Sequence, residues 1–196
     1  MTTESVRAGR PRSFDEQEVV DRALNVFWSH GSNTTTRVLE RELGITQSSI
    51  YNAFGSKQNL LDRALDRYVA QIDSEVLAPL NAPEANDKDL LAFVDRLMVW
   101  ISNSEQPGCL LLNLLGETKT SDPALVERAH AYRDRLRQVF QGALASHGEA
   151  EAAPRAEVML ASVLGINISA YGGASPEELT MLANGLRSQL TEWAKA

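Results

Sequence analysis

The chain has 196 residues, 43% of them hydrophobic, three histidines, one cysteine and a formal net charge of −7. That hydrophobic share supports a globular core, a lone cysteine excludes an internal disulfide, and the lack of a run of about 18 apolar residues excludes a membrane-spanning helix. The polar N-terminus has no apolar signal core, so the expectation is a cytoplasmic protein.

In chain order, Arg7, Arg10 and Arg12 come first, opposed only by Glu4 before Asp15. Such a basic arm can reach phosphates or the minor groove. Charge is unevenly distributed beyond it. Residues 1–70 carry nine basic and nine acidic side chains, whereas residues 71–196 carry ten and seventeen, so the acidity lies wholly in the C-terminal part. A first helix is expected from about Asp15 to His30, with Val19, Ala23, Val26 and Phe27 on its core face.

The stretch Thr34–Phe54 reads as two short helices around a glycine turn. Threonines at its start can cap a helix, and Val38, Leu39 and Leu43 are apolar at helical spacing. Gly44 suits a left-handed helix end, and Thr46 can cap the next helix. Ile50 and Phe54 lie four apart and face the core. The other face shows Gln47, Ser48, Tyr51 and Asn52, small or polar groups that can hydrogen-bond base edges or phosphates without burying a charge. Helix, tight turn, helix is the pattern of a helix-turn-helix. Ser56 can cap a further helix, with Lys57 in its first turn. A cation there opposes the helix dipole unless an anion compensates it.

That helix runs from Lys57 to about Leu77 and can link a DNA-binding head to a C-terminal body. A loop follows around Pro79, Pro83 and Asn86. A helix from Asp87 to about Ser102 is apolar over most of its surface and should be buried. After Gln106-Pro107-Gly108 come helices from Cys109 to about Lys119, from Pro123 to about His147, from about Pro154 to Tyr171, and from Pro176 to about Ala194. No segment alternates as a strand does, so the fold class is all-α with about nine helices: an N-terminal arm and helix-turn-helix domain over 1–56 and a helical domain over 57–196. No glycine-rich phosphate loop, paired cysteines, metal-binding histidine pair or nucleophile elbow is present, so neither an enzyme nor a cofactor is expected.

Tyr51-Asn52-Ala53-Phe54-Gly55-Ser56-Lys57-Gln58-Asn59-Leu60-Leu61 resembles the signature that closes the DNA-binding domain of TetR-family transcriptional repressors. Phe14-Asp15, Ala23–Gly31 and Arg10-Pro11-Arg12 resemble the segments that precede it. The similarity covers about the first third of the chain. The loop after Gly31 is one residue shorter than usual, which leaves open which of Thr34, Thr35 and Thr36 caps the second helix and touches phosphate. The resemblance implies a homodimer formed by the last two helices, two recognition helices about 34–36 Å apart on an operator of double-stranded DNA, and a small-molecule effector in the C-terminal body. On that reading Gln47, Ser48, Tyr51 and Asn52 read the operator. Thr35, Thr36, Thr46 and Lys57 hold phosphates, joined by Arg10 and Arg12 from the arm.

Effector pockets are mostly apolar with a few polar groups. Phe93, Trp100, Cys109, Leu110, Asn113, Leu114, Glu117, Tyr132, Met159 and Asn167 are the expected lining residues. Asn113 and Glu117 lie four apart on a leucine-rich helix and can satisfy each other, a neighbouring helix or a ligand. Pro107–Asn113 also resembles a TetR subgroup that includes repressors of electrophile-detoxifying enzymes, in which a cysteine at this place is a sensor. A helix start favours a thiolate, whereas a buried free cysteine is an inert small hydrophobe. The expected function is a ligand-responsive repressor. An activator of the same fold and a helical interaction module without DNA binding are the alternatives.

Overall fold

A computed structural model describes residues 14–31, 33–103, 108–115 and 123–195. Nine α-helices and two short 3₁₀ turns make up these residues, and no strand occurs among them. The helices are α1 (Glu16–His30), α2 (Thr36–Leu43), α3 (Gln47–Phe54), α4 (Lys57–Glu75), α5 (Asp87–Asn103), α6 (Leu110–Leu114), α7 (Pro123–Ala143), α8 (Glu149–Tyr171) and α9 (Pro176–Trp193). The chain divides into two compact units between Arg67 and Tyr68, inside α4.

In the first unit α1 buries Val19, Val20, Ala23, Leu24, Val26 and Phe27. Asp15 caps its start by accepting from the Gln17 N–H at 2.7 Å. Leu39 and Leu43 of α2, Ile50 and Phe54 of α3, and Leu60, Leu61, Ala64 and Leu65 of α4 are the apolar complement, each at most 5% exposed. Arg22 of α1 donates to the Glu42 carbonyl at the end of α2, 2.7 Å away. The Arg63 guanidinium lies over the Phe54 ring, 5.0 Å from its centroid, and pairs with Glu16 at 2.9 Å.

In the second unit α5 packs on α9, α7 on α8, and α8 on α9, while α6 lies against α7 and α8. Phe93 of α5 and Phe140 of α7 meet edge to face with centroids 5.3 Å apart, a geometry that aromatic quadrupoles favour. Arg187 of α9 pairs with Asp95 of α5 at 2.7 Å.

Several expectations need correction. Val99 on α5 is 60% exposed, and Asp95 and Arg96 are exposed beside it, so that helix is amphipathic and not buried all round. The helix α7 stops at Ala143 and gives way to a 3₁₀ turn, Ala145–His147. There the His147 side chain is fixed between neighbours: its Nε2 lies 2.9 Å from Asp87 Oδ1, and Arg155 donates to its Nδ1 at 2.8 Å. The helix α8 starts at Glu149 and carries Pro154 inside it. A proline inside a helix loses its own donor and crowds the carbonyl four residues back, yet buried Ala152 and Ala156 on either side continue the packed face. At Cys109 the backbone is still extended, and α6 begins one residue later and lasts five.

The last helix has the full start signal. Ser175 accepts from the Glu178 N–H, and Glu178 reaches back to the Ser175 N–H at 2.8 Å, with Pro176 at the first helical position. Ser175→Ala should therefore cost about 1 kcal/mol. In a thermal melt it should lower the midpoint by roughly 2–4 °C, and an unchanged midpoint would show that this capping box adds nothing.

Candidate nucleic-acid interface and effector cavity

The two short helices of the first unit are held by their ends. Thr35 is the N-cap of α2 and accepts from the Val38 N–H at 3.3 Å. Gly44 closes α2 at φ 67°, where its N–H bonds the Glu40 carbonyl. Only Ile45 and Thr46 then separate it from α3. Thr46 caps α3 by accepting from the Ser49 N–H at 3.2 Å, and its oxygen also lies 2.9 Å from the hydroxyls of Ser48 and Ser49. Gly55 closes α3 at φ 78°, bonding the Tyr51 carbonyl at 2.8 Å. Asn59 on the next helix donates to the Phe54 carbonyl at 3.1 Å, and Ser56 caps that helix by accepting from the Asn59 N–H at 3.0 Å.

This geometry settles the threonine register. Thr34 is buried and its hydroxyl donates to the Gly31 carbonyl at 2.7 Å. Thr35 is the cap, and Thr36 is the first, half-buried helical residue. Lys57 is half-buried and donates to the Thr34 carbonyl at 3.1 Å, so it ties α4 to the loop before α2. With both ends of α3 fixed and Ile50 and Phe54 inward, Gln47, Ser48, Tyr51 and Asn52 stand exposed together, Tyr51 by 43%. The face contains no charged side chain. Glu40 sits at its margin, where a carboxylate oxygen accepts from the Gln47 N–H at 3.4 Å. Arg10 and Arg12 lie outside the described residues. Arg37, exposed in the first turn of α2, escaped the sequence reading. The signal that singled out Lys57, a cation against the helix dipole, would also have found it.

Residues 19–64, which include all of α2 and α3, match the family model of bacterial regulatory proteins, tetR family. The HTH-type transcriptional repressor ComR of Escherichia coli (strain K12) is 28% identical over 185 residues, covering 89% of this chain and 88% of that protein. Residues 19–64 therefore form a DNA-binding domain of the TetR type. Solved structures show the same fold. A cysteine-substituted form of the TetR-family transcriptional regulator CifR, complexed with a 26-bp double-strand operator DNA, superposes with a TM-score of 0.77 at 22% identity, over 96% of this chain and 99% of that one. AibR in complex with isovaleryl coenzyme A and operator DNA superposes with a TM-score of 0.68 at 14% identity, over 89% and 96%. The match over residues 19–64 and the likeness to ComR mark the protein as a transcriptional regulator with a TetR-type DNA-binding domain.

The C-terminal unit of this regulator encloses a narrow cavity lined by Ile72, Leu97, Trp100, Ile101, Gly108, Cys109, Leu112, Val163 and Asn167. Three of the ten expected effector residues, Trp100, Cys109 and Asn167, therefore come together. A fourth, Asn113, touches the group from behind, its Oδ1 accepting from Asn167 Nδ2 at 3.1 Å. Phe93 is committed to its ring contact with Phe140. Leu110, Leu114, Tyr132 and Met159 are buried but outside this lining, and Glu117 lies outside the described residues. Asn113 thus finds its partner on a neighbouring helix. The sequence gave no sign of Ile72, Leu97, Ile101, Leu112 or Val163, because an apolar wall and an apolar core have the same composition.

Asn167 is the hub. Its Oδ1 also accepts from the Cys109 N–H, while the Leu110 N–H finds the Tyr68 hydroxyl at 3.3 Å. The start of α6 is so fastened to α8 and α4. Burial pushes the Cys109 thiol up from its ordinary value, against a smaller lowering by the Tyr68 hydroxyl. Burial likewise raises Tyr68 and Tyr132, with the nearby Cys109 adding to both. The helix-start argument for a thiolate is overridden: α6 is one turn long, and desolvation favours the neutral thiol.

Gly108 has φ 71°, and an added Cβ would lie 2.8 Å from Asn167 Oδ1 and 3.1 Å from the Asn167 carbonyl oxygen. Gly108→Ala should cost the protein roughly 1–3 kcal/mol through backbone strain and a displaced Asn167 amide. Urea unfolding measures this, and a midpoint equal to that of wild type would contradict the hub role of Asn167.

Proposed function

We propose that this regulator is a repressor that binds a palindromic operator as a homodimer through α3 and leaves it when a small molecule occupies the C-terminal unit. The exposed, uncharged group Gln47, Ser48, Tyr51 and Asn52 carries the reading. Helices of eight residues are marginal on their own, yet here a threonine cap, a glycine end and two buried side chains fix α3, with its polar face left open. Amide and hydroxyl groups of this kind suit base edges and phosphates. Thr35 and Thr46, exposed at the two helix starts, place backbone N–H groups and hydroxyls where phosphates bind. Thr36, Lys57 and the arm residues Arg10 and Arg12 add further phosphate contacts. CifR and AibR, which share the fold, are both seen with operator DNA, and AibR also with an acyl-coenzyme A.

The dimer is supported by a surface of the last two helices. Val158, Ile168 and Tyr171 on α8, and Met181 and Leu182 on α9, are 44–67% exposed. The small residues Ala161 and Gly165 continue the α8 face at helical spacing. A Cβ added at Gly165 or Gly185 would meet nothing within 4 Å. A contiguous apolar patch on a soluble protein marks an association surface, and a two-fold pairing through it makes a four-helix bundle that holds two reading heads. Effector release requires tighter ligand binding to the DNA-free arrangement than to the DNA-bound one.

Tyr51→Ala should abolish specific binding in a gel shift with DNA upstream of the protein's own gene, while light scattering still reports a dimer. Retained operator affinity would remove Tyr51 from the reading face. Ile168→Glu should give a monomer by light scattering at micromolar concentration and weaken operator binding with it. A stable Ile168→Glu dimer would place the association surface elsewhere.

A further inference from the structure

The wall of the C-terminal cavity is chemically one-sided. Leu97, Ile101, Leu112 and Val163 supply apolar surface, and no Asp, Glu, Lys, Arg or His is among the lining residues. Its amide groups are engaged with one another: Asn167 Oδ1 accepts from the Cys109 N–H, and Asn167 Nδ2 donates to Asn113 Oδ1. The Cys109 thiol is held neutral by burial. Trp100 is different. Its indole Nε1–H is buried and has no acceptor among the described residues. Indole can only donate, and a buried donor without a partner is a standing cost that an incoming lone pair would relieve.

These features select an occupant. A charged molecule would leave water and meet no counter-charge in the wall. A molecule rich in donors would meet amide oxygens already in use. What fits is an apolar body with one acceptor. We propose that the effector of this regulator is a small uncharged carbonyl compound, packed against Leu97, Ile101 and Leu112 with its oxygen accepting from Trp100 Nε1–H. The cavity has room for about one water, about 20 Å³, so the occupant is small and parts the aliphatic side chains around it. The proposal names the effector class for the repressor reading above, but its test needs no DNA.

The experiment is a ¹⁵N–¹H NMR titration of the whole DNA-free protein, following the indole resonances of its three tryptophans. Trp100→Phe identifies the one that matters. Three matched probes are used: cyclopentanone, cyclopentane and cyclopentanecarboxylate. Cyclopentanone should move the Trp100 indole proton downfield and bind about tenfold more tightly than cyclopentane, the worth of one good hydrogen bond. The carboxylate should leave that resonance in place. In Trp100→Phe, followed through the Leu112 and Val163 methyl resonances, the ketone should lose its advantage over the hydrocarbon. Val163→Phe, which fills the cavity, should silence both. A carboxylate that binds as tightly as the ketone overturns the proposal, as does a Trp100 resonance unmoved at saturating ketone. Release from operator DNA by a compound that leaves the Trp100 indole unmoved would also overturn it while sparing the repressor reading. A protein that fails to bind its operator would sink that reading without touching these resonances.

Discussion

An eight-residue helix cannot hold itself in water. Nucleation fixes several residues before the first hydrogen bond forms, and isolated helices below about 12–15 residues are marginal. The helix α3 is of that length, so its neighbours in the N-terminal unit have to support it from outside. Thr46 and Gly55 satisfy its ends, Ile50 and Phe54 bury one side, and Asn59 of α4 donates to the Phe54 carbonyl at its end. The same logic explains why Lys57 points at the Thr34 carbonyl. A cation in a first turn is unfavourable there unless a negative end faces it, and the carbonyl of the preceding loop supplies one within the protein. The turn from Phe54 to Lys57 is therefore a clamp between α3, α4 and the loop before α2.

In the C-terminal unit the polar hub and the exposed apolar face share a helix. Asn167 and Ile168 are consecutive on α8. One is 7% exposed and holds Cys109 and Asn113, and the other is 67% exposed and faces outward. Consecutive helical residues point about 100° apart, so a shift of α8 that relaxes Asn167 necessarily carries Ile168 with it. That is a short mechanical link between the cavity and the exposed apolar face of α8, requiring no long chain of intermediates. Buried amide networks suit such a link, because partial loss of their bonds is costly and favours discrete arrangements over gradual drift.

The N-terminal unit was legible in the sequence because its determinants are local. Caps, glycine ends and apolar spacing are properties of four to eight consecutive residues, and Thr46, Gly44, Gly55, Ile50 and Phe54 all behave as their types and positions dictate. The threonine register was not legible, since Thr34, Thr35 and Thr36 are chemically alike. The choice is made by the Gly31 and Lys57 contacts from outside the stretch. Helix α8 was underestimated for a related reason: a proline reads as a start, yet tertiary burial of Ala152 and Ala156 carries the helix through it. Cavity and core were indistinguishable by composition. Only the structure separates Phe93, committed to Phe140, from Trp100, whose donor has no acceptor among the described residues.

The charge distribution fits the division of labour between the units. Residues 71–196 carry the whole net charge of −7 and residues 1–70 are neutral. A reading face of amides and hydroxyls contributes little long-range attraction to DNA. The C-terminal acidity repels it, and both effects keep non-specific affinity low where phosphate contacts dominate. On the proposed reading, operator preference comes from a few short hydrogen bonds at Gln47, Ser48, Tyr51 and Asn52, made simultaneously in two half-sites. Those bonds fade within about an ångström of misplacement. On the same reading the effector need supply only the few kcal/mol that separate a DNA-bound from a DNA-free arrangement.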